Sequence, residues 1–138
     1  MLLTKDKSLC EEHQKIIVSE ENRRKHRAIN IEHSLVRHYR LDGDIVRQEK
    51  CCDFLVLNDS KKRAYFIELK GTNTSDAVQQ LESAVSRFKD EVNEYAIYLR
   101  IVGKNMRTHQ INSTEKRKLE EKYHGKLLCK SGQMEEAI

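Results

Sequence analysis

Two short apolar runs, each broken by charge, dominate the pattern of hydrophobic and polar positions along the chain. The first is Cys52-Asp53-Phe54-Leu55-Val56-Leu57. After the polar gap Asn58-Asp59-Ser60-Lys61-Lys62 comes the second, Tyr65-Phe66-Ile67-Glu68-Leu69-Lys70, closed by Gly71. Aromatic and branched residues on either side of turn chemistry predict two buried strands, 52–57 and 63–70, joined by a short turn. Downstream, Ala77, Val78, Leu81, Ala84, Val85, Phe88 and Val92 recur at helical spacing. They predict an amphipathic helix that starts at Thr74 or Ser75 and ends near residue 92. The nearly continuous apolar run 95–102 reads as a central strand covered on both faces. Strand, helix, strand is then a parallel crossover unit.

Upstream the periods are less regular. Ala28, Ile29, Ile31, Leu35, Val36 and Tyr39 gather on one face at 100° per residue and predict a helix over roughly 22–40. Residues 41–44 read as a turn and 45–49 as a strand, which would complete an antiparallel meander with 52–57 and 63–70. The first 20 residues carry one short apolar patch at 15–18 and read as a helix running from Ser8 or an irregular arm. Residues 103–112 form a basic loop, and Ser113 or Thr114 caps a charged helix ending near Tyr123 with Gly125 as its cap. Residues 126–129 read as an edge strand, and the tail 131–138 as loose.

A charge inside a strand core is costly unless something compensates it. Asp53, Glu68 and Lys70 all interrupt such material. Alternation puts Glu68 and Lys70 on one face, and a hairpin brings Asp53 near them. Two carboxylates and an ammonium suit a divalent cation with a phosphate. Glu32 falls in the middle of the apolar stripe of the expected first helix, where a carboxylate is either paired or a ligand. His33 and Glu49 compete with it for a third acidic or polar position. The other side of that helix would carry Arg23, Arg24, Lys25, Arg27 and Arg37, a face that is either simply solvated or tracks nucleic acid together with Lys104 and Arg107.

Asp53, fourteen intervening residues, then Glu68-Leu69-Lys70 resembles the signature of the PD-(D/E)XK nuclease superfamily, with Cys52 where the nominal pattern has proline. The predicted order of helix, three strands, helix and strand is similar to that family's core, over about residues 25–102. The resemblance implies an α/β, restriction endonuclease-like αβββαβ core with a central mixed four- to five-stranded sheet flanked by helices. It implies a nuclease that hydrolyses phosphodiester bonds with Mg²⁺ or Mn²⁺, in DNA rather than RNA. Asp53, Glu68 and the main-chain carbonyl of Leu69 would hold the metal, Lys70 would position or activate water, and Glu32 would bind a second metal or its water. Gln79 or Gln80, early on the second helix, would support the site. The alternative function is a nucleic-acid-binding or protein-interaction module on the same fold with little or no catalysis.

Composition narrows the classes. At 138 residues the chain is read as a single domain, with a core at about 22–102 and an extension at 103–130. The net charge of +4 permits nucleic-acid binding without demanding it. The absence of proline and the low glycine count argue against a disordered or linker-rich chain. The four cysteines lack metal-ligand spacing and read as reduced thiols. With no membrane-length apolar run and no leader pattern, a soluble, cytoplasmic protein is expected. So small a domain leaves little room for base readout, so a homodimer or a specificity-giving partner is expected.

Overall fold

The computed structural model describes residues 1–69, 74–104, 114, 117–118, 121–122 and 127–138. After a short 3-10 turn at Lys5–Lys7, the named elements are eight strands and one α-helix: β1 Ile16–Glu21, β2 Arg24–Ile29, β3 Val36–Arg40, β4 Phe54–Asn58, β5 Arg63–Glu68, α1 Thr74–Arg87, β6 Ala96–Gly103, β7 Leu127–Ser131 and β8 Gln133–Ala137. They build two sheets, one of five strands in the order β3-β4-β5-β6-β7 and one of three in the order β1-β2-β8. In the larger sheet β3, β4 and β5 are antiparallel neighbours, and β6 and β7 continue in parallel from β5.

Every residue of β4 is buried, because the central sheet is covered on both faces. Successive side chains of a strand point to opposite sides. Leu55, Leu57, Ala64 and Phe66 pack on one side with Ala77, Leu81 and Ala84 of α1 and Phe88 just beyond it. Phe54, Val56, Tyr65 and Ile67 pack on the other side with Ile17, Ala28 and Met134 of the small sheet. The protein is therefore α/β in three layers, α1, the mixed five-stranded sheet and the small mixed sheet. Instead of a sheet flanked by helices, the described residues show a helix on one face and strands on the other.

The expected crossover and edge strand are present: α1 carries the apolar stripe from Ala77 to Val85 but ends at Arg87, short of the expected end near 92, β6 lies parallel to β5, and β7 forms the edge. Four expectations are corrected. Residues 22–40 are not a helix; they hold the β1–β2 turn, β2, a loop and β3. The positions that β2 and β3 turn toward the layer between the sheets are His26, Ala28, Val36 and His38, two of them histidines, so their two-residue alternation is not a clean alternation of apolar and polar residues. The first strand of the meander is β3, and residues 45–49 lie in the connection 41–53, tied by a single bridge between Asp42 and Val46. The N-terminal 20 residues contribute β1. The tail is ordered as β8, which pairs in parallel with β2 and buries Met134 and Ile138. Lys70, residues 71–73, Arg107 and Gly125 lie outside the described residues. The helix expected over 113–123 is described only at 114, 117–118 and 121–122, all helical. No helix among the described residues is long and apolar enough to cross a membrane.

Candidate active site

The last pair in the β4–β5 ladder is Phe54 with Ile67, so the next position sets Asp53 opposite Glu68. Alternation from Leu55 and Phe66 turns both toward the α1 side of the sheet. They are 2% and 4% exposed. The Leu69 N–H donates to Asp53 Oδ2 at 2.8 Å and ties the strand ends together. The thiol of Cys52 reports both acids. Burial first, then Cys51, then the charges of Glu68 and Asp53 push it well above the usual thiol range.

Glu68 lines a cleft of about 400 Å³ at this end of the sheet. The connection 41–53 supplies Asp42, Gln48, Glu49, Lys50 and Cys51 to its wall, and α1 supplies Gln80. Gly43 lets the connection fold tightly, at a φ of +100° that L side chains avoid. Of the two glutamines expected beside the site, Gln80 lines the cleft, while the side-chain oxygen of Gln79 accepts from Lys50 Nζ at 3.1 Å. Glu49, the weaker competitor for a third acidic position, also lines the cleft and pairs with Arg87.

Glu32 is elsewhere. It sits in the loop before β3, with its side chain 65% exposed and 2.7 Å from Lys61 Nζ. That hydrogen bond and charge hold its carboxyl below the ordinary range. Lys61 belongs to the β4–β5 turn, and Asp53 precedes the opposite end of β4, roughly 17 Å away at strand rise. Glu32 is a paired surface acid without a place beside Asp53. His33, its neighbour, occupies the same loop at a φ of +53°.

The basic residues assigned to one helical face divide. Arg23 occupies the β1–β2 turn, and Arg24, Lys25 and Arg27 lie on β2. Lys25 pairs with Glu20 at 3.4 Å and Arg27 with Glu135 at 3.2 Å. Their sheet covers the face away from Asp53 and Glu68. Its hairpin tip and Lys104 nevertheless lie at the same end of the central sheet, since Lys25 N–H donates to Gly132, which in turn bonds Gly103. Arg37 is internal. It donates to both oxygens of Asp59 at 2.7 and 3.0 Å and to the Leu3 carbonyl at 2.8 Å. Burial favours its neutral form, but Asp59 outweighs burial and raises its pKa. It fastens the fold and is not a docking cation.

A second polar cluster, between the two sheets, has no counterpart in the sequence expectations. Ser19 Oγ and His38 Nε2 are 2.9 Å apart. Glu136 bonds His26 Nε2 at 2.7 Å and Arg100 through Nε at 2.7 Å and one terminal nitrogen at 3.0 Å. The only signal in the sequence is three polar residues at inward positions of strands that carry little apolar alternation.

Among the described residues no group of three His, Cys, Asp or Glu side chains is arranged to hold a metal ion. Asp53 and Glu68, on one face of the sheet with Glu68 lining the cleft, nevertheless offer hard oxygen donors of the kind Mg²⁺ takes, with water or phosphate completing its octahedron. Comparison with protein families, curated proteins and solved structures found no match.

Proposed function

We propose that the chain is a divalent-metal-dependent nuclease acting on DNA, with Asp53 and Glu68 at its centre. The observation that carries this reading is the cross-strand placement of two buried carboxylates on one face, with Glu68 opening into a cleft. The order of three antiparallel strands, helix and parallel strand supports a restriction endonuclease-like core, in which a hairpin takes the place of the first helix.

Asp53, Glu68 and the Leu69 carbonyl would hold Mg²⁺ or Mn²⁺. When bound, the metal would polarise a phosphoryl oxygen and make its water more acidic. The protein's own groups do the rest. Lys70, two residues beyond Glu68, orients the attacking water and neutralises charge that develops on phosphate. Gln80 offers an amide to phosphate or water from the helical wall. Glu32 has no part in this centre.

A panel of single-stranded, duplex and branched DNA, with RNA, assayed in Mg²⁺ or Mn²⁺ against EDTA tests the reading. Cleavage should require metal. Asp53→Asn should abolish it, and Lys70→Met should lower it about 10²- to 10³-fold while the fold survives. A wild-type chain that cuts none of the panel, or a Lys70→Met chain that cuts as well as wild type, overturns the mechanism.

A further inference from the structure

A second cleft, of about 780 Å³, adjoins the first. Glu49 and Lys50 line both, so the two form one groove that begins at Glu68 and runs along α1. Ser83 and Ser86, three residues apart on one helical face, form part of its floor, and Arg87 and Lys122 stand beside them. Each cation rests on a partner: Arg87 on Glu49, Lys122 on Glu82 at 3.8 Å, and Lys50 on Gln79 at 3.1 Å. Exposed pairs of this kind contribute only about 0–1 kcal/mol, so a phosphate displaces them at little cost. From Gln80 to Arg87 the helix advances about 10 Å, the axial rise of about three base pairs of duplex DNA.

We infer that this groove is the track for the sugar–phosphate backbone of the DNA strand whose reactive phosphate lies at Glu68. Lys50, Arg87 and Lys122 neutralise successive phosphates, and the hydroxyls of Ser83 and Ser86 donate to them. The inference rests on the reading of Asp53 and Glu68 as a phosphodiester centre. It moves the binding surface from the β1–β2 hairpin to the helical face that adjoins the carboxylates.

The test measures binding of a labelled DNA duplex to the full chain in EDTA, where hydrolysis is suppressed, as a function of salt. Combining Lys50→Gln, Arg87→Gln and Lys122→Gln should flatten the slope of log affinity against log salt by about 0.9 for each phosphate no longer neutralised, or about 2.7 for three. Glu82→Gln removes an acid from the groove and should tighten binding. Arg24→Gln with Lys25→Gln, on the hairpin, should change the slope less than the groove substitutions do. An unchanged slope in the triple variant, a hairpin effect larger than the groove effect, or a wild-type chain that does not bind DNA overturns the inference. Cleavage in Mg²⁺ keeps the two readings apart. A wild-type chain that cuts while the triple variant binds and cuts equally well removes the groove alone. Binding that depends on the groove without any cleavage removes the nuclease and leaves the groove.

Discussion

His38 stands with its ring stacked on Phe54 at 5.4 Å and its Nε2 on Ser19. Burial, reinforced by His26, lowers its pKa to about 4. The folded protein therefore keeps this imidazole neutral, while the unfolded chain takes up a proton at the ordinary histidine value near 6.5. Stability should fall as pH drops from about 6.5 to about 4, by about 3 kcal/mol, and this contribution should level off below. His38→Gln keeps a partner for Ser19 and should remove that part of the pH dependence. An NMR titration reads the same quantity directly, and a His38 ring that titrates near 6.5 would contradict it. Asp53 and Glu68 were legible in the sequence because acids stand out inside aliphatic strands. His38 was not, because a histidine at an inward strand position looks the same in a sequence as one on the surface.

The same contrast separates the elements. β4, β5, α1 and β6 announce themselves because their buried positions are aliphatic or aromatic and keep a clean period. β2 and β3 bury His26 and His38, while Ala28, Leu35 and Tyr39 happen to share a helical face, so the wrong period prevailed. In β8, Met134 is the main apolar signal, and Glu136, directed between the sheets, reads as a surface acid. Lys50, Arg87 and Lys122 had no signal, because they come from three separate parts of the chain and only the fold brings them together. The β1–β2 hairpin itself rests on a two-residue turn, Asn22 and Arg23, with φ of 51° and 65°. Both positions are left-handed, as in the hairpin turn that favours Asn-Gly. Arg23→Gly should relieve the strain of a side chain there and raise the urea midpoint, by about 1 kcal/mol in stability. A lowered midpoint would show that the Arg23 side chain contributes more than its backbone costs.

At the scale of the whole molecule, Glu136 joins the layers. It sits on β8 and binds His26 of β2 in its own sheet and Arg100 of β6 in the central sheet. The Arg100 guanidinium also lies over Tyr65 and Tyr98, at 5.7 and 5.4 Å. Burial pushes the Glu136 carboxyl up, but His26 and Arg100 outweigh it and hold it below the ordinary range. The contribution of the cluster is therefore present above the ordinary carboxyl pKa and lost as pH falls through the lowered value. Glu136→Gln keeps the shape and removes the carboxylate charge held against Arg100 and His26, at a cost of about 3 kcal/mol in denaturant unfolding. A loss below about 1 kcal/mol would mean that the cluster merely fills space.

The parallel pairing of β2 with β8 has a consequence in time. Lys25 meets Gln133, 108 positions along the chain (133 − 25). Closing a loop of that length costs about 4 kcal/mol of chain entropy before any contact repays it. The β1–β2 hairpin and the β3–β4–β5 meander are local and need no such search. β8 is therefore expected to dock late, after the rate-limiting barrier. In stopped-flow measurements Glu136→Gln should act on the unfolding side, speeding escape from the native state while leaving the refolding rate nearly unchanged. How long each folded molecule lasts is thus set by how often its final strand lets go.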